Sequence, residues 1–183
     1  MQVQRVCHDT LPWLISVSLG LMRVRYVSGF CLALTCSGLA AATPANIDSI
    51  TLERTWCNGT CPIYTVTVWC DGTVTYDGEE YVKVKGRRLR KISSEQVQQL
   101  VRKVQRNGFF KLKDEYMSKE NADGSISTVT DLPSAITTVR AGNIRKRVKN
   151  YYGGPESLAA FENLIDKVAG TSAWTGNPRP VIH

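Results

Sequence analysis

Ile50-Thr51-Leu52-Glu53-Arg54-Thr55-Trp56-Cys57-Asn58-Gly59-Thr60-Cys61-Pro62-Ile63-Tyr64-Thr65-Val66-Thr67-Val68-Trp69 is the stretch on which the fold turns. Both halves alternate. Ile50, Leu52, Arg54 and Trp56 share one parity, and Tyr64, Val66, Val68 and Cys70 share one in the second run. A period of two puts alternate side chains on opposite faces of a strand. Folding the runs together around Asn58-Gly59-Thr60 sets Cys57 opposite Cys61, Leu52 opposite Val66 and Ile50 opposite Val68, so the apolar faces agree. Opposed residues of an antiparallel pair have Cα atoms roughly 4.5–5.5 Å apart. A disulfide spans roughly 4.4–6.8 Å, so this register predicts a Cys57–Cys61 bond. Cys70 falls near Asp48, many residues down the ladder, and is expected to be a buried, inert thiol on the Tyr64/Val66/Val68 face. So short a loop limits the gain to about 2 kcal/mol.

Working outward, Asp71-Gly72 precedes Thr73–Tyr76. An Asp-Gly pair between β-rich runs signals a hairpin. A two-residue turn there would put Val74 and Tyr76 on the face of Trp69. Glu80–Lys85 reads as a fourth strand closed by Gly86. Ser93 to Gln96 forms a capping box. Val97, Leu100, Val101 and Val104 follow at helical spacing, and Asn107-Gly108 stops the helix. Lys113–Pro133 is polar and reads as a long loop. Ala135–Val139 and Ile144–Tyr151 form a second hairpin around Ala141-Gly142-Asn143. Pro155 opens a last helix, with a buried stripe of Leu158, Phe161, Leu164, Ile165 and Val168. Gly170 ends that helix, and Trp174 is expected to fold back on the core. The order β-β-β-β-α-β-β-α predicts an α+β fold, an antiparallel sheet with two helices packed on it.

Upstream, Phe30–Ala42 is an apolar and small-residue run preceded by Arg23 and Arg25. It ends in Ala40-Ala41-Ala42. These are the parts of a secretory signal peptide, with the cut after Ala42. The run is short for a membrane span, which needs about 20 apolar residues. Met22 would begin a compact leader of this kind; a retained anchor that also uses Trp13–Leu21 is the rival reading. The expected organisation is a leader at 1–42, one domain at 43–175 and a flexible tail at 176–183. The destination is then the periplasm or the medium, where cysteines pair.

The full chain carries a net charge of +7. Lys83, Lys85, Arg87, Arg88, Arg90 and Lys91 form one basic cluster. Arg140, Arg145, Arg147 and Lys149 line the second hairpin, with Lys146 on its other face. Such patches hold polyanions. An exported protein rarely meets nucleic acid, so an anionic envelope component or envelope protein is the expected partner. The competing reading is a solvated strand edge whose charges discourage aggregation. No membrane span is expected in the mature form.

Catalytic constellations are scarce. The chain after the leader has His183 as its single histidine, so a Ser-His-Asp or Cys-His device is excluded. Three cysteines and a terminal histidine do not make a zinc site, and no cofactor motif is present. Asp114-Glu115, Asp123 and Asp131 are loop acids, and Asp131 before Leu132-Pro133 suits a turn cap. Asn121–Ser125 lacks the ligands of a calcium loop. Cys57 and Cys61 lack the helix start that activates a redox thiol, so a structural staple is favoured over exchange.

Leu52-Glu53-Arg54-Thr55, the Cys57-x-Gly59-x-Cys61-Pro62-x-Tyr64 motif and Asp71-Gly72-x-Val74-x-Tyr76-x-Gly78 resemble a family of exported bacterial domains, domain of unknown function 6438. Gly108-Phe109-Phe110-x-Leu112, Tyr116 and Thr130-Asp131-x-Pro133 extend the likeness across Ile47–Trp174. The resemblance implies a small exported domain and brings no reaction, ligand or cofactor. It also makes Asp131 the first acid to mutate. The expected function is a non-enzymatic binding or interaction module of the cell envelope. The alternatives are a periplasmic thiol–disulfide redox protein using Cys57 and Cys61, and a histidine-free hydrolase built on Asp131 with tyrosines such as Tyr116.

Overall fold

A computed structural model describes residues 46–176. The leader at 1–42 and the tail beyond Gly176 lie outside the described residues. The alternating runs become β1 (Ser49–Arg54) and β2 (Ile63–Trp69), followed by β3 (Thr73–Glu80) and β4 (Gly86–Lys91). Helix α1 (Ser94–Arg106) leads through a 3-10 turn at Phe109–Lys111 to short strands β5 (Glu115–Tyr116), β6 (Lys119–Glu120) and β7 (Ile126–Ser127). The second hairpin is β8 (Ala135–Ala141) and β9 (Ile144–Asn150), and the chain closes with α2 (Glu156–Ala169) and α3 (Ser172–Thr175).

Seven strands form one sheet in the order β4-β3-β2-β1-β8-β9-β5. All neighbours are antiparallel except β5 on β9. β1 sits centrally because it pairs with β2 on one side and β8 on the other. The class is therefore α+β with a mostly antiparallel sheet. In β1–β2, Leu52 faces Val66 and Ile50 faces Val68, the register that the alternation implies.

One face of the sheet carries the core. Leu52, Val66, Val74, Tyr76, Val139 and Val148 are buried there with Leu100 and Val104 of α1 and Leu158, Phe161 and Ile165 of α2. The capping box holds α1: Gln96 N donates to Ser93 Oγ at 3.3 Å, and Ser93 N donates to Gln96 Oε1 at 3.0 Å. Pro155 precedes α2 and Gly170 ends it in the left-handed region at φ 68°. Trp174 folds back as expected and packs on Tyr76, with ring centroids 4.9 Å apart.

Several expectations are corrected. The β2–β3 turn holds three residues, Cys70–Gly72, and Gly72 takes φ 79°. Val74 therefore faces Val68, and Val74 and Tyr76 join the core face, away from Trp69. Asp71 chooses this turn by accepting from Thr73 N at 2.8 Å, the local bond that favours Asp in turns. The fourth strand is also displaced. Strand β3 runs on through Glu80, Tyr81 turns the chain at φ 53°, and the ladder resumes at Gly86. Val84 N instead donates to Trp174 O at 2.8 Å, which draws residues 82–85 out of the sheet. The polar stretch after Lys113 is not one loop but carries β5, β6 and β7, and a third helix, α3, follows Gly170.

Candidate functional site

Alternation carries Arg54 onto the core face at the end of β1, where a bare guanidinium would be costly. It survives there because α2 supplies a partner. Arg54 Nε and Nη2 both donate to Asp166 Oδ2, at 3.2 and 2.9 Å. Nη2 also donates to Asn163 Oδ1 at 3.2 Å. Tyr64 lies directly across from Arg54 on β2, and its hydroxyl donates to Asp166 Oδ1 at 2.7 Å. Thr171 Oγ1 donates to the same oxygen at 3.0 Å.

One helical turn before Asp166 lies Glu162, which is fully buried. Its Oε2 accepts from Asn150 Nδ2 at 3.1 Å, while Glu162 Oε1 and Asn150 Oδ1 have no hydrogen-bond partner. Burial pushes the Glu162 carboxyl up to about 7; the Arg54 guanidinium and the Asn150 amide pull it down, and Asp166 raises it. A buried carboxylate beside the Arg54–Asp166 pair would add uncompensated negative charge, which favours the neutral form of Glu162. Arg54 itself is held above its usual range: burial lowers its pKa, but Asp166, Tyr64 and Glu162 more than offset that. Tyr64 is pushed upward by burial and by Asp166. Arg54 and Tyr64 therefore hold their protons tightly.

Outside this cluster, at the same end of the sheet, lies the disulfide loop. Cys57 and Cys61 are bonded, with Cα atoms 5.8 Å apart. The pair sits between two strands, not at a helix start, and neither sulfur is a titrating thiol. Cys70 N donates to Asp48 O at 3.0 Å, as the register implies. Cys70 is nevertheless not an inert thiol: it is half-buried and disulfide-bonded. Asn58 N in the loop donates to Asp131 O at 3.2 Å. Asp131 takes the left-handed region at φ 69°, a conformation that Asp tolerates at local cost. Its exposed side chain faces a groove of ≈ 480 Å³ that also takes in Trp56, Glu115, Arg147, Lys149 and Tyr151.

The basic residues fall into separate places. Arg87 and Lys91 lie on the face of β4 away from the helices, and Arg88 and Arg90 on the core side. Arg90 Nη1 donates to Ala169 O at 3.3 Å and caps α2, so it is a structural residue. Lys91 Nζ lies 3.4 Å from Asp71 Oδ2, and Arg87 pairs in register with Asp77. Lys83 and Lys85 sit in the segment after β3. Arg140, Arg145 and Arg147 are exposed on one face of β8 and β9, and Lys149, on that face, is half-buried. On the other face, Lys146 Nζ meets Asp114 Oδ1 at 2.5 Å.

The structure does not bring Asp131 and Tyr116 into one site. The Tyr116 hydroxyl accepts from Lys113 N at 3.2 Å, and the tyrosine near Asp131 is Tyr151, whose hydroxyl accepts from Leu132 N at 3.3 Å. Asp123 is exposed and held below the usual carboxylate range by Ser125. Among the described residues no group of three or more metal-ligating side chains gathers, and no helix is long and apolar enough to cross a membrane. Sequence reasoning missed Glu162, Asp166 and Asn150. The available signal was Arg54, a charge in phase with Ile50 and Leu52.

Fold and site together define an α+β domain built on a seven-stranded sheet, with a disulfide-closed hairpin outside and an arginine–carboxylate cluster inside. The chain belongs to domain of unknown function 6438 (DUF6438), whose family model matches residues 48–169. No curated protein matches it.

Proposed function

We propose that the chain is an exported, non-enzymatic binding module of the bacterial envelope that holds an anionic component on its β8–β9 hairpin. One observation carries this reading. Arg140, Arg145 and Arg147 are exposed on the same face, and none has an ion-pair partner among the described residues. Lys146, on the opposite face, is answered by Asp114. Clustered cations free of ion pairs attract a polyanion and release its counterions, so binding weakens as salt rises. Export is supported by the leader pattern and by the Cys57–Cys61 bond, which suits an oxidising compartment.

Phosphatidylglycerol vesicles, titrated across a salt series, test the surface. Wild-type protein is expected to bind with a steep salt dependence. Arg140→Ser/Arg145→Ser is expected to lose most of that slope. Equal slopes for variant and parent would overturn the reading. Fractionation of the native host tests export: cytosolic protein whose Cys57 and Cys61 alkylate before denaturation would end that part of the proposal.

A further inference from the structure

Trp56 is 66% exposed, an unusual cost for an indole beside a groove. Its neighbours across the ≈ 480 Å³ space give it a context. Arg147 and Lys149 stand two residues apart on one face of β9, so their stems rise roughly 6.5–7 Å from one another. Asp131 and Glu115 supply carboxylates to the same groove. A ligand that satisfies this lining needs an apolar flat face, an anionic group and hydroxyl donors.

The groove is also built to hold its shape. The disulfide closes the loop that follows Trp56. That loop is bonded to Asp131 through Asn58 N. Thr55 and Ser134 exchange two bonds, Thr55 N to Ser134 O at 3.0 Å and Ser134 N to Thr55 Oγ1 at 2.8 Å. Asp131 keeps its left-handed backbone inside this frame. Strain of that kind, fixed by its surroundings, marks a place where geometry is being held for a purpose. Preorganised walls lower the ordering cost of binding.

At Lys149 and Asn150 the backbone of β9 is paired on both sides, with β8 and with β5. An extended peptide therefore has no free edge to join beside Lys149, and recognition there falls to side chains. The platform is open at its rim, which suits a ring laid flat better than an aliphatic side chain needing enclosure.

We infer that this groove binds a carboxylate-bearing sugar of the uronic acid type. The ring's C–H face lies on Trp56, its carboxylate meets Arg147 and Lys149, and its hydroxyls donate to Asp131 and Glu115. Charge-assisted hydrogen bonds of this kind are the stronger ones. The inference rests on the reading of the domain as a binding module, and it names a ligand class for one part of the surface.

Calorimetric titration with trigalacturonate, its methyl ester and the dipeptide glycyl-leucine tests it. Trigalacturonate is expected to bind at least about tenfold tighter than the ester or the dipeptide. Trp56→Ala and Arg147→Ser are each expected to weaken it about tenfold, with Trp56→Phe restoring most of the loss. Arg140→Ser/Arg145→Ser, outside the groove, is expected to leave trigalacturonate binding intact while weakening vesicle binding. A preference for the dipeptide, equal binding of the ester, indifference to Trp56→Ala with unchanged melting temperature, or no binding at millimolar sugar would each overturn the inference. Vesicle binding that survives those outcomes would leave the broader reading standing.

Discussion

Glu162 is where residue-scale physics is most exposed to test. Its carboxyl is pushed up to about 7 in the folded chain from an ordinary 4.5, with burial the largest cause. Between those values the folded state holds a proton that the unfolded state releases. Its favourable contribution is therefore complete below about pH 4.5, falls as pH rises to about 7, and is level above that. At about 1.4 kcal/mol per unit, the swing is on the order of 3 kcal/mol. Glu162→Gln keeps the shape and removes the titration. Urea unfolding of this variant from pH 4.5 to 8 is expected to lose most of the downward slope, with stability at pH 8 above that of the parent. An unchanged slope would assign the effect to another group. Arg54 makes the opposite case. Arg54→Met strands the Asp166 carboxylate, which is 21% exposed at the side chain. Breaking a largely buried pair from one side costs about 3 kcal/mol. A drop under about 0.5 kcal/mol, the scale of an ordinary surface substitution, would show the pair to be incidental.

At the scale of elements, each boundary has its own device. Strands β1 and β2 are joined by a covalent link. Cys57→Ser/Cys61→Ser is expected to cost about 2 kcal/mol in the denaturant midpoint, the value for closing so short a loop. Helix α1 depends on its capping box, and Ser93→Ala is expected to cost about 1 kcal/mol. Helix α2 ends under the Arg90 guanidinium, so Arg90→Ser is expected to lower the melting temperature without changing vesicle binding; the reverse pattern would return Arg90 to the contact surface. Elements also show where legibility stopped. The β1–β2 register was readable because parity and the two cysteines lie within one window. The face of β3 was not, since it depends on whether Asp71 closes a turn of two residues or three. Its side-chain bond to Thr73 N decides for three and turns Val74 and Tyr76 inward. Strand β4 was misplaced for a related reason. Glu80–Lys85 alternates as well as Gly86–Lys91 does, and the first is taken out of the ladder by Trp174 from the far end of the chain.

In the whole molecule, charge is sorted by the sheet. A basic composition says only that polyanions are favoured. Sheet topology then divides the two basic clusters. It places Arg88 and Arg90 on the helix side, sets Arg87 across from Asp77, and leaves Arg140, Arg145 and Arg147 exposed together. The proposed contact surface is consequently smaller than the basic residues in the sequence suggest.

What the chain's order of residues determined alone was local: strand period, the cysteine clasp, the capped start of α1, and the proline and glycine that bound α2. Each depends on neighbours within a few residues, where sterics and short hydrogen bonds act directly. Tertiary structure alone decided the Arg54–Asp166 pair, whose members are 112 residues apart. It also decided the raised pKa of Glu162 and the groove assembled from four separate segments. Burial sets the energy of those groups, and burial exists only once the sheet and helices have closed over them.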